Sequence, residues 1–291
     1  CSQYLIYSLG QVVISGLIIM GIYRWMNATV LTDAKYYDPF NNKGSVSQKK
    51  TRLSLKDSFK LILSSKYLGL IAFLVFSFAF SMNILGLLWK KQLQLQYPDP
   101  ISYANFMGDY SVLTGALTVT IIFFFKGAVS RFGWFKASMA TPLTLFFTSI
   151  LLFASIFFSD LLSPLTLFFG ASPLLMAVFI STSQQIIGKS AKYALFDPTK
   201  EMAYIPLDDE LKIKGKAAVD VSIHQFGKAA GGYITGGLLV GFMADHLISV
   251  APYFAIFIFA IIILWIMAVG FLNRHYLEVS TSHENSLKAT K

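Results

Sequence analysis

From Tyr67 to Trp89 the chain reads YLGLIAFLVFSFAFSMNILGLLW, without one charged side chain. About 20 such residues in an α-helix cross the roughly 30 Å of hydrocarbon in a bilayer. Lipid offers no water to backbone amides, so a segment there has to bond within itself as a helix or close into a barrel. Comparable stretches predict seven spans, at about 4–23, 67–89, 109–125, 137–158, 164–187, 217–242 and 250–272. Composition agrees. Charged residues make up 13% of the chain, against about 25% in soluble domains, and 27 of its 291 residues are Phe. The expected class is an all-α integral membrane protein.

A net charge of +9 in a soluble chain would suggest nucleic acid, but here its distribution argues otherwise. Segments 24–66, 126–136 and 188–216 and the tail after 272 hold every Lys and Arg except Lys90, Lys91 and Lys228. Lys90 and Lys91 fall to the opposite loops, and Lys228 lies inside a span. Such asymmetry marks the cytoplasmic side of a membrane protein, so the basic loops and the C-terminus are expected there, with no nucleic-acid partner. One span, a long basic stretch and six further spans suggest a division. Residues 1–23 read as the last helix of an N-terminal half, 24–66 as a basic cytoplasmic linker, 67–272 as a six-helix bundle and 273–291 as a tail. Within the linker, LSLKDSFKLILSSK reads either as a helix lying on the inner membrane surface or as solvated chain. The count is that of the second half of a twelve-helix transporter, with its N-terminal half missing and a substrate site near the midplane between halves. The loop KGAVSRFGWFKAS, with its Arg-x-Gly core, partly resembles the turn that major facilitator transporters repeat.

The stretch from Lys189 to Asp220, KSAKYALFDPTKEMAYIPLDDELKIKGKAAVD, is dense in charge between two apolar neighbours. Residues 188–216 read as an ordered loop at the cytoplasmic mouth, which the next helix continues inward. Lys216, Asp220, His224 and Lys228 come at four-residue intervals and would form one slowly rotating stripe on a helix. A charge near the centre of a span costs about 2.5–3.5 kcal/mol, so these groups need water or partners. Lys228 lies deepest. Two arrangements satisfy the stripe: an Asp220–His224 hydrogen bond with a lysine paired to another helix, or a basic cavity that receives an anion. Asn83, Gln184 and Gln185 are polar groups inside spans that either bond to a neighbouring helix or face the substrate. Gly227, Gly231, Gly232, Gly236, Gly237 and Gly241 form overlapping small-xxx-small pairs, expected to serve close helix packing.

Enzyme chemistry finds little support. Gly188-Lys189-Ser190 mimics the end of a phosphate loop, but Ser183 stands where that loop needs its first Gly. Neither a nucleophile elbow, an HExxH pair nor paired catalytic carboxylates are present. The sole cysteine is Cys1 and the four His are scattered, so neither a disulfide framework, a metal site nor a cofactor is expected.

KYALFDPTKEMAYIPLDDELKIKGKAAVD, followed by GKAAGG, closely resembles the signature of the ADP,ATP carriers of plastids and obligate intracellular bacteria. NILGLLWKKQLQLQYPDPISYANFMGDYS, from Asn83 to Ser111, is similar to that family's stretch after the first helix of its second half. The resemblance covers the whole chain, aligned to the family's C-terminal half. It implies a twelve-helix fold akin to the major facilitator type, moving nucleotides across the inner membrane, with ATP and ADP as substrates. The family lysine important for transport falls on Lys228. The family's glutamate before Trp-Lys falls on Gly86, a departure that removes a carboxylate.

The expected function is therefore ATP/ADP exchange by alternating access. Lys228, Lys216, His224, Asp220, Asn83, Gln184 and Gln185 are the candidate substrate contacts. Proton-coupled nucleotide import, with Asp220 or His224 carrying the proton, and a non-transporting nucleotide receptor are the alternatives.

Overall fold

The computed structural model describes residues 2–30, 60, 62, 64–125, 127, 131–158, 164, 170–207, 211–241 and 247–289. Most of the expected linker, 24–66, and its surface helix lie outside them. The chain divides into two units, Cys1–Arg52 and Leu53–Lys291. The first holds α1, Ser2–Trp25, extended by a π-helical turn at Met26–Val30. The second holds α2 (Lys66–Gln96), α3 (Pro100–Phe125), α4 (Trp134–Phe157), α5 (Pro173–Ala191), α6 (Asp197–Ala203), α7 (His224–Gly241) and α8 (Ala251–Ala289). The described residues contain no strand.

The helix starts reflect local chemistry. The Ser65 side chain accepts from the Leu68 amide and caps α2. Asp99 caps α3, accepting from the Ser102 amide at 2.9 Å, with Pro100 at the first helical position, where its missing N–H costs nothing. That amide holds the Asp99 carboxyl below its usual range. Ser172 and Pro173 repeat the device at α5. Gly133, of the Arg-x-Gly core, takes φ +81° immediately before α4, which is why a glycine stands there.

Five described helical segments are long and apolar enough to cross a membrane: Leu9–Thr29, Lys66–Gln96, Pro100–Phe125, Trp134–Phe157 and Ile248–His275. The spans expected at 164–187 and 217–242 are built differently. Helical backbone runs unbroken over 173–203, because a π-helical turn, Lys192–Phe196, joins α5 to α6. It is equally continuous over 211–241, with π-helical turns at Leu211–Gly215 and Ala218–Ile223 leading into α7. The charged stretch expected as a loop is thus largely the facing ends of two long helices. Polar and small residues, among them Gln184, Gln185 and Lys189 in α5 and His224, Gln225, Lys228 and six glycines in α7, leave these helices less apolar than the other five. Two further boundaries move. Lys90 and Lys91 lie within α2, not in a loop, and helical backbone continues to Ala289 through the expected tail.

In the second unit α2 is central, packed against α5, α7 and α8, while α4 bridges α5 and α8 and α3 packs on α5. The run 173–203 lies antiparallel to α2. Trp89 Nε1 donates to Thr182 Oγ1 at 2.9 Å near one end, and the Tyr67 hydroxyl donates to the Ala203 carbonyl at 2.7 Å near the other. The run 211–241 lies parallel to α2, with Gly215 against Leu68, Gly227 against Phe76–Phe80 and Gly231 against Asn83. Lipid tails are as apolar as leucine, so van der Waals contact is what holds such helices together. The fully buried core includes Leu68, Ile71, Ile84, Leu85 and Leu88 of α2, Leu145 and Leu152 of α4, and Phe254, Ile258 and Trp265 of α8.

The six glycines of the 227–241 stretch do not act alike. A Cβ on Gly227 would lie 2.9 Å from the Phe76 carbonyl oxygen, and one on Gly231 would lie 2.8 Å from Asn83 Oδ1. At Gly232, Gly236, Gly237 and Gly241 nothing described lies within 4 Å, so the expected packing role falls on the first two positions of the repeat. Gly227→Ala should therefore cost about 1–3 kcal/mol as overpacking against rigid backbone. Gly231→Ala should cost less, because the Asn83 side chain can rotate. Gly236→Ala should be neutral or stabilising by up to about 1 kcal/mol through helix propensity. Thermal unfolding of the three variants in detergent checks this order.

Candidate functional site

A cavity of about 370 Å³ opens beside the middle of α2. Phe78, Ala79, Met82, Asn83, Gly86, Leu87, Trp89 and Lys90 of α2 form one wall. Gln185 and Lys189 of α5, with Lys192 and Tyr193 of the adjoining π-helical turn, form a second. His224 and Lys228 of α7 complete it. Each wall is one face of a helix: Asn83, Gly86 and Lys90 recur at helical spacing, as do Gln185, Lys189 and Lys192, and His224 and Lys228. The lining carries four ammonium groups and an imidazole, but no carboxylate among the described residues.

The lysines differ in their partners. Lys192 Nζ lies 2.7 Å from Asp197 Oδ2 and 4.5 Å from the centre of the Tyr193 ring. Lys189 Nζ sits 4.9 Å over the Tyr110 ring, which is itself packed on Trp89 at 4.6 Å between centroids. Both rings give these cations a favourable quadrupole. Among the described residues no carboxylate lies within ion-pair distance of Lys90, Lys189 or Lys228. Sequence position makes Lys228 the most deeply enclosed of the stripe. In the described chain it is exposed, on the α7 wall of the cavity.

The four-residue stripe divides in two. Lys216 and Asp220 line a separate open groove with Lys212, away from His224 and Lys228. The π-helical turn at Ala218–Ile223 adds residues to the helical repeat and re-aims the side chains beyond it. Lys200 Nζ bonds to Asp220 Oδ1 at 2.7 Å, and Lys216 donates to Glu201. That bond holds the Lys216 ammonium pKa above the usual lysine range. Lys200 also lies 3.7 Å from Glu201, so the four groups tie α6 to the helix leading into α7.

Of the expected substrate contacts, Lys228, His224, Asn83 and Gln185 meet in the cavity, while Lys216 and Asp220 do not. Gln184 is buried behind the wall and accepts a hydrogen bond from Gln185 Nε2 at 2.9 Å. Sequence reasoning misses Lys90, Lys189 and Lys192, because it assigns them to loops as topology charges. Their spacing from Asn83 and Gln185 is the available signal. Asn83 Oδ1 is buried and makes no hydrogen bond within the described chain.

The cavity's position is set from behind by aromatic packing. Phe196, in the turn after α5, stacks on Phe78 at 5.2 Å and meets Trp265 edge-on at 5.6 Å. Trp134 Nε1 donates to the Thr199 carbonyl at 2.9 Å, fixing α6 to α4.

A family model described as the TLC ATP/ADP transporter matches residues 1–276. The chain belongs to the TLC ATP/ADP transporter family. It is 40% identical over 280 residues to ADP,ATP carrier protein 1 of Chlamydia pneumoniae, covering 96% of this chain and 54% of that protein. The corresponding carrier 1 of Rickettsia bellii is 41% identical over 265 residues, 91% of this chain and 53% of its own length. Carrier protein 3 of the same organism is 36% identical over 268 residues, 92% and 52%. The chain thus spans about half the length of the curated relatives it matches. No solved structure matches it.

In this member of the TLC family the glycine at 86 leaves the α2 wall bare opposite Gln185, whose Oε1 would lie 3.8 Å from an added Cβ. A charge pair that bears on folding sits elsewhere, between Lys200 and Asp220. The Lys200 side chain is only 11% exposed, so Lys200→Ala should leave Asp220 without its partner at a cost of about 1–3 kcal/mol. Reversing the pair, Lys200→Asp with Asp220→Lys, should recover part of that loss. Thermal unfolding of the single and double variants as a mutant cycle measures it.

Proposed function

We propose that this chain forms the substrate-binding C-terminal half of a twelve-helix, major-facilitator-like nucleotide transporter of the bacterial inner membrane. Its basic segments and C-terminus face the cytoplasm, and an N-terminal half of the same protein closes the site from the other side. The transported substrates are ATP and ADP, exchanged by alternating access without hydrolysis.

The cavity beside α2 carries this reading. Lysine ammoniums suit phosphate as mobile point charges, and Lys90, Lys189, Lys192 and Lys228 converge on one space. Phe78, Trp89 and Tyr193 add aromatic surface for a purine, and Asn83 and Gln185 add amides. The relatives' name, ADP,ATP carrier, describes the same pairing of ligand and charge. Exchange is preferred to proton coupling through Asp220, because that carboxylate is engaged by Lys200. His224 remains the candidate carrier for the proton-coupled alternative. Counterflow separates the two: exchange requires nucleotide inside the vesicle, whereas symport collapses with an uncoupler. A receptor would bind nucleotide with no flux at all.

Lys228 gives the sharpest test. A charge-assisted contact to phosphate contributes about 1.5–3 kcal/mol, so Lys228→Ala should weaken ATP binding by that amount, ADP by less and adenosine hardly at all. Lys228→Arg keeps the charge but changes reach and geometry, and should restore little. Equilibrium binding to the complete gene product checks this. Equal weakening for ATP and adenosine would remove the phosphate role.

A further inference from the structure

We infer that the cavity takes the nucleotide free of magnesium, as the fully charged polyanion, and discriminates against the magnesium complex. The inference rests on the nucleotide-transport reading of this cavity and names the chemical form of its substrate.

The walls offer a ligand positive charge and neutral oxygens. Lys90, Lys189, Lys192 and Lys228 present ammonium groups, which donate hydrogen bonds and accept none. Asp197, the carboxylate paired within this set, is committed to Lys192 at 2.7 Å. The side-chain oxygens in the lining are the neutral amides of Asn83 and Gln185 and the Tyr193 hydroxyl. Magnesium prefers carboxylate and phosphate oxygens in octahedral geometry, and it gives up its water reluctantly. A metal held on the phosphates would bring a hydrated dication among ammoniums that cannot ligate it. It would also cancel part of the negative charge those ammoniums meet.

Position strengthens the effect. Lys189 and Lys192 lie on the continuous run 173–203, beside the middle of α2. Both side chains are half-buried, and partly buried charges are screened by salt less than exposed ones, so attraction and repulsion both grow. Gly86 leaves the adjoining wall without a side chain that could shield them.

Equilibrium binding of ATP, ADP and AMP to the complete gene product in lipid nanodiscs tests the inference, in EDTA and in excess magnesium chloride at matched ionic strength. ATP should bind about tenfold or more weakly in magnesium, corresponding to about 1.4 kcal/mol. ADP, which holds the metal less tightly, should lose less, and AMP almost nothing. Lys90→Gln and Lys189→Gln should each weaken metal-free ATP more than the magnesium complex, so the ratio between the two conditions shrinks. A variant that is merely misfolded lowers both together and leaves the ratio unchanged. Equal affinity in the two conditions, or tighter binding in magnesium, overturns the inference and leaves the nucleotide reading standing. Failure of every nucleotide to bind in EDTA overturns both.

Discussion

Charge in a low-dielectric bundle has to be paired or left facing water, and the arrangement of the second unit depends on how that is done. Two long helical runs, 173–203 and 211–241, carry lysines and carboxylates into contact with an apolar core. At one end Lys200, Glu201, Lys216 and Asp220 neutralise one another across the pair of helices. Further along, Lys189, Lys192 and Lys228 turn into a shared cavity. Removing one partner from such a set strands the other, so the ion pairs act more as register devices than as a large source of stability.

The apolar contacts serve the same end. Phe196 packs with Phe78 and Trp265 as a three-ring cluster behind the basic wall, and Tyr67 and Trp134 each capture a backbone carbonyl of α6. The charged segment is thereby held against α2 and α4 although its own residues are poor membrane formers. On the other flank Gly227 and Gly231 let α7 approach α2 closely enough to bring Lys228 beside Asn83. Backbone contact, aromatic packing and charge pairing together place the cations of three separate segments around one space.

Much of this is legible in the sequence. Apolar stretches of membrane-crossing length give the class, and the uneven distribution of lysine and arginine singles out 189–220. The motifs around it resemble a family that the match over residues 1–276 bears out. Lys228 and His224 can be chosen as site residues because an ionisable group inside a span needs a reason to be there. The stripe containing them does not hold together, since a four-residue spacing presumes a regular α-helix. The π-helical turn at Ala218–Ile223 breaks that presumption, and no local composition rule marks where such a turn will fall.

The sequence by itself therefore determined the solvent this chain is built for, the order of its helices and the segments where charge had to be accommodated. Hydropathy and charge are local properties, summed along the chain, and they fix those features without reference to any neighbour. Only the tertiary structure decided which charges meet. Lys90 and Lys189, loop residues on opposite sides by sequence alone, share one cavity because both belong to helices, α2 and α5, that pack antiparallel. Lys216 and Lys228, at the two ends of the stripe, part company because the helix between them changes its repeat. Pairing depends on register and phase between helices. Those are set by where Phe196, Gly227 and Gly231 find contact, and that is a property of the packed bundle and not of any one segment.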